Sequence, residues 1–213
     1  MRKRSRTRRR VLRGIVGGLT VGTFLNWLRP DPTTSPLEAD GPQLGVETHS
    51  DPINETTTPY AVYQYASVAG ELRPTLPINL VFPLDAATFD DVIGVFRAEH
   101  WYSRPSEHVR YAYNREEQSW TRSHWSGAGT VFGIAPRLHV RCWSFEGTAS
   151  VQAHVDTVPS PGHRIASFEQ ATRGVARLFA LNGWEVDPDT PEMMPLGNAT
   201  APDHAGEAIV IRR

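Results

Sequence analysis

Between residues 137 and 156 the chain alternates apolar and polar positions twice. Leu138, Val140 and Cys142 alternate with His139, Arg141 and Trp143, and Val151, Ala153 and Val155 alternate with Gln152, His154 and Asp156. A period of two marks a strand with unlike faces. If Glu146 and Gly147 form a two-residue turn, the two runs pair as a hairpin with Phe145 opposite Thr148. In that register Cys142 meets Val151, Val140 meets Ala153 and Leu138 meets Val155, so every apolar member falls on one face. His139 then meets His154, Arg141 meets Gln152 and Arg137 meets Asp156 on the other. A slip of one residue would mix the faces, so pattern and turn specify one register together.

Elements on either side follow by the same reasoning. Residues 60–65 predict a short strand, and residues 77–82 (PINLVF) a firmer one, with Pro only at its start. Asp85 is a candidate N-cap, and Phe89, Val92, Ile93 and Phe96 recur at helical spacing, which predicts a first helix over 86–100. Residues 101–129 are irregular, apart from alternation at Val109, Tyr111 and Tyr113 that suggests a strand. After a break at Ser160-Pro161-Gly162, Ser167 caps a second helix with a stripe of Phe168, Ala171, Val175, Leu178 and Phe179. Gly183 is placed to end it. Residues 187–206 read as a loop and 207–211 as a final strand. The resulting order, β-α-β-β-α-β, predicts an α+β fold of the ferredoxin-like kind with both helices on one face of the sheet. The two helix ends echo each other, FRAEHWYS and FALNGWEV.

Charge changes the picture at the N-terminus. The net charge is −1, yet residues 1–30 carry eight Arg, one Lys and no acid. The remainder holds thirteen basic residues against twenty-three acids, a net of about −10, and Lys3 is the sole lysine. An acidic, Lys-poor body fits either a high-salt setting or a GC-rich genome. It excludes nucleic acid as an expected partner, since phosphate binding needs a basic face.

Thr7-Arg8-Arg9-Arg10-Val11-Leu12 followed by GIVGGLTVGTFLNWL (14–28) resembles a twin-arginine export signal: a basic start, an arginine pair and a weakly apolar run. The run is short for a membrane span, which needs roughly 20 residues. Residues 11–28 would contact the membrane if the leader stays uncut, and the chain would be secreted if it is cleaved. Residues 30–59, rich in Pro, Thr and acids, read as a disordered tether. The expected organisation is therefore leader or anchor 1–29, tether 30–59 and folded domain 60–213. Asn54-Glu55-Thr56 and Asn198-Ala199-Thr200 match the glycosylation sequon.

The hairpin also carries the candidate chemistry. Arg137, His139, Arg141, Trp143, His154, Asp156, His163 and Arg164 form the candidate ligand-binding set. Arginine forks suit phosphate or carboxylate, and Trp143 offers a stacking surface. The expected partner is an anionic small molecule or an envelope protein. No cofactor is expected on this reading. The alternative is zinc held by His139, His154 and Asp156, three ligands plus water being the layout of a catalytic zinc centre. The chain has no Gly-x-Ser-x-Gly elbow and no phosphate-binding Gly-Lys loop. Cys142 is the one cysteine, so an internal disulfide is excluded.

PINLVF at 77–82, the strand His139-Val140-Arg141-Cys142-Trp143, the strand 153–156, the turn Gly162-His163-Arg164-Ile165 and the helix after it resemble the LssY-like C-terminal domain, over about residues 75–186. The resemblance implies a setting in the cell envelope and does not supply a mechanism. His154-Val155-Asp156-Thr157-Val158-Pro159 is similar to the first ligand motif of the zinc aminoacylase and carboxypeptidase family. The paired acids that family places downstream are missing from this chain. These readings lead to an extracytoplasmic, non-enzymatic binding or accessory domain, with a metal-dependent hydrolase as the alternative.

Overall fold

A computed structural model describes residues 58–101, 103, 109–129, 137–156 and 165–213. The leader, most of the tether, His163 and Arg164 lie outside the described residues, as does the end of the His-x-Asp string.

The described residues form an α+β fold with two helices and two sheets. The strands are β1 (Tyr63–Val68), β2 (Glu71–Pro77), β3 (Leu80–Pro83), β4 (Tyr111–Asn114), β5 (Ser119–Arg122), β6 (Trp125–Ala128), β7 (Arg137–Phe145), β8 (Thr148–Asp156), β9 (Ile165–Ser167), β10 (Met193–Pro195) and β11 (Glu207–Val210). The helices are α1 (Phe89–Ala98) and α2 (Glu169–Leu181). The smaller sheet has the order β2-β1-β4-β5; the larger has β10-β11-β3-β8-β7-β6, with β9 added beside β8.

The β7–β8 hairpin has the expected register throughout, from Phe145 opposite Thr148 to Arg137 opposite Asp156. Its turn places Gly147 at φ +68°, a left-handed conformation that glycine adopts without steric cost. Val140, Cys142, Val151, Ala153 and Val155 face the helices, packing with Val92, Ile93 and Phe96 of α1 and Val175 and Phe179 of α2. Burial pushes the Cys142 thiol well above its ordinary range, so it stays a neutral core side chain.

The other face of the larger sheet is covered by the chain leading into β1 and by β4. Tyr60, Ala61, Val62 and Ala112 pack with Val81, Trp143, Phe145 and Val210. The hairpin thus lies in the middle of three layers: helices, large sheet, small sheet.

Both helices stop in the same way, which explains the echo in the sequence. In α1, Trp101 N–H donates to Phe96 O and His100 N–H to Arg97 O; in α2, Trp184 N–H donates to Phe179 O and Gly183 N–H to Ala180 O. These are Schellman pairs, each with a left-handed residue after the cap: His100 at φ +60° and Gly183 at φ +79°. Each Trp then packs on the Phe five residues before it, at 4.9 Å for Phe96–Trp101 and 5.1 Å for Phe179–Trp184.

The first helix is shorter than expected. Its N-cap is Thr88 rather than Asp85, because Thr88 and Asp91 close a reciprocal capping box. At the second helix the cap residue is Phe168, without a side-chain cap bond, and Ser167 just before it accepts from Gln170 N–H at 2.8 Å. The alternating stretch from Val109 begins its strand only at Tyr111, and two further short strands follow it.

In the larger sheet β11, β3, β8 and β7 are neighbours in that order. The expected ferredoxin-like arrangement, with an antiparallel sheet, is departed from at β11, which pairs with β3 in parallel. The cause lies after α2. Glu185 bridges antiparallel to Arg212, beyond the end of β11, so the chain passes outside β11 first. The segment 187–206 then turns it back through β10 before β11 enters the sheet.

Candidate functional site

The polar face of the hairpin is interior. Arg137, His139, Arg141, Trp143, His154 and Asp156 are all buried. Four strands put their partners there. β7 and β8 set His139 against His154 by direct cross-strand pairing, and the rings meet edge to face at 5.1 Å. β6 pairs with β7 so that Ser126 lies opposite Arg141, and Ser126 Oγ lies 3.2 Å from His139 Nε2. From β1, Gln64 accepts from Arg141 at 3.5 Å and donates to Thr75 Oγ1 at 3.0 Å.

Asp156 is the hub of the cluster. Arg137 donates to its Oδ2 at 3.1 Å, and His154 Nε2 lies 3.0 Å from its Oδ1. Burial alone would raise its pKa. The His154 hydrogen bond, the charges of His154 and His139 and the Arg137 hydrogen bond outweigh that and hold the carboxyl at about 2. The other ring nitrogen of His154, Nδ1, meets Gln152 Oε1 at 3.0 Å. One ligand-grade atom from each of His139, His154 and Asp156 lies within 4.8 Å of the others.

Six of the eight expected site residues are therefore described, and all six lie on one buried face. Four of them, Arg137, His139, His154 and Asp156, form one network at the open end of the hairpin. Arg141 sits further along with Gln64. Trp143 is wholly buried in the apolar half of the same face, so it is core and not a stacking surface. Gln152, Ser126 and Gln64 complete the network without having been expected. Gln152 was visible in the alternating pattern, but Gln64 and Ser126 come from strands whose sequences carry no charge and no metal-ligand spacing.

Two buried amides elsewhere act as backbone substitutes. Asn79 donates to Ala153 O at 2.7 Å and accepts from Ala153 N–H at 2.8 Å, which extends the β3–β8 pairing. Asn198 donates from Nδ2 to Val62 O and Ile78 O and is fully buried. Its sequon is thus closed in the folded chain, because the nitrogen a sugar would occupy is committed to two carbonyls.

Among the described residues no helix is long and apolar enough to cross a membrane. Comparison with protein-family models, with curated proteins and with solved structures finds no match.

Proposed function

We propose that the chain is an exported, membrane-tethered domain of the LssY-like C-terminal kind, built on a ferredoxin-like core with a reversed last strand, and that its role in the cell envelope is binding or accessory rather than catalytic. One observation carries the non-enzymatic reading. His139, His154 and Asp156 expose only 2–5% of their surface, and Arg137 and Arg141 about as little at 7%. A reacting centre needs a position that substrate can reach. Here the charged groups are turned inward and engage each other, so they support the fold. The same burial favours an envelope protein over an anionic small molecule as partner, because the arginines an anion would need are already engaged at 3.1 and 3.5 Å. Contact with that partner falls to the outer surfaces of the domain. The strands that carry the family resemblance are central strands of the larger sheet.

Export is tested by changing Arg8, Arg9 and Arg10 together to Lys. The full chain should then accumulate inside the cell while the wild type appears at the surface or outside. Equal surface appearance of both would overturn the proposal.

The alternative of a metal-dependent hydrolase draws on the clustering of His139, His154 and Asp156. A hydrolytic activity of the wild type that disappears in His154→Gln, with folding unchanged, would displace the accessory reading.

A further inference from the structure

We propose that His139, His154 and Asp156 bind one divalent metal ion of the zinc class, and that this ion acts as a staple at the open end of the β7–β8 hairpin. The inference concerns the same residues as the hydrolase alternative but assigns them no reaction. It stands apart from the export reading.

The donor chemistry fits. Two imidazoles and a carboxylate form the nitrogen and oxygen set that zinc takes, at about 2.0–2.2 Å per bond. Ligand atoms around a tetrahedral zinc therefore stand roughly 3.3 Å apart. His154 Nε2 and Asp156 Oδ1, at 3.0 Å, already have nearly that spacing. The whole set lies within 4.8 Å, so a movement of His139 by about 1.5 Å closes it.

The surrounding groups fit as well. Metal-binding histidines characteristically donate their second ring N–H to an oxygen, which fixes the tautomer, and ligating carboxylates are themselves hydrogen-bonded. Gln152 Oε1 lies 3.0 Å from His154 Nδ1, and Arg137 holds the second oxygen of Asp156 at 3.1 Å. His154 Nε2 and Asp156 Oδ1 face each other at 3.0 Å, a position that takes a positive charge, either the proton of the His154 hydrogen bond or a metal ion in its place.

The test uses untagged full-length chain, stripped with a chelator, and zinc alone as the probe. Calorimetric titration should give one zinc per chain, and zinc should raise the melting temperature of the wild type. His154→Gln and His139→Asn should each weaken binding at least 100-fold while keeping the circular dichroism spectrum of the stripped wild type. If neither variant folds, cobalt bound to the wild type decides. Visible ligand-field bands without sulfur charge transfer support the proposal, and no such bands at one equivalent overturn it. Absence of stoichiometric zinc, or binding unchanged within two-fold in both folded variants, overturns it too. So does a melting temperature that does not respond to zinc. A chain that binds zinc but is not exported would sink the localisation reading and leave this one standing.

Discussion

The two faces of the β7–β8 hairpin are built by the same alternation and buried by opposite means. Toward the helices, Val140, Cys142, Val151 and Ala153 pack against apolar side chains of α1 and α2. Any residue of suitable size and no polarity would serve there. Toward the smaller sheet, the half of the face near the turn is largely apolar, with Trp143 and Phe145 packed with Tyr60–Val62 and Ser150 accepting from Ala61 N–H. The far half holds Arg137, His139, Arg141, Gln152, His154 and Asp156, each buried. A polar group taken from water must find a specific partner at a specific distance, or it costs more than burial returns. The apolar face tolerates approximation, whereas the polar face depends on particular pairs.

The largest effect should come from breaking one such pair. Asp156→Ala leaves Arg137 charged and buried beside an empty position, and should cost about 3–5 kcal/mol in urea unfolding. Val151→Ala on the opposite face removes only two methyl groups and should cost about 2 kcal/mol. The double replacement Arg137→Met with Asp156→Leu should recover most of the loss, because both charges go together. If Val151→Ala proves costlier than Asp156→Ala, the contrast between the faces is inverted. If the double replacement is as unstable as the single one, the pair is not what holds the polar face.

The apolar face was legible from sequence and the burial of the polar one was not, for physical reasons. A single period-two pattern with a two-residue turn fixes register without reference to the rest of the chain, and the observed pairing follows it at every position. The partners of the polar face come from residues far away in sequence: Gln64 is 77 residues from Arg141. No local pattern encodes that distance. The strand β2 was missed because Pro74 interrupts it and Pro77 ends it; β2 tolerates Pro74 because it lies on the sheet edge, opposite Tyr65 where the register shifts. The strands β5 and β6 are four residues each, too short for a period to show. In β6, Gly127 lies beneath the Trp125 ring, where a Cβ would come within 2.0 Å of it, so even its glycine is set by tertiary packing. The direction of β11 was hidden for the same kind of reason, since a strand's sequence does not state which neighbour it meets or which way it runs.

Of the two faces acid probes only the polar one, with an intermediate effect, beside the surface carboxyls of Asp91, Asp187, Glu192 and Asp203 that hydrogen bonds also hold low. The Asp156 carboxyl is held at about 2 in the folded protein, below its value of roughly 3.9 in an unfolded chain. A depressed carboxyl contributes stability that is complete above the unfolded pKa and is lost as pH falls through the folded one. Unfolding free energy should therefore drop by about 2 kcal/mol between pH 5 and pH 2 from this group. Asp156→Asn should flatten that part of the profile, while Val151→Ala should lower the whole curve without changing its shape. A wild-type slope that persists unchanged in Asp156→Asn would assign the acid sensitivity to other carboxylates.

The smallest effect tests how the apolar face acquires its cover. The helices that lie on it end in matched Schellman turns, but one uses histidine where the other uses glycine. His100 is exposed, so its side chain gains nothing by burial that would offset a left-handed backbone. That conformation costs a residue with a Cβ roughly 1 kcal/mol, part of which glycine gives back through its larger entropy in the unfolded chain. His100→Gly should therefore stabilise the domain by about 0.5 kcal/mol. At the matching position Gly183→Ala should destabilise it by about 1 kcal/mol, although open space surrounds that site and no contact is lost. Opposite signs at two equivalent turns would show that backbone conformation, and not the identity of the packed side chains, is what the apolar side of the hairpin leaves to be optimised. Equal and neutral responses would place the strength of both turns in the Phe96–Trp101 and Phe179–Trp184 contacts instead.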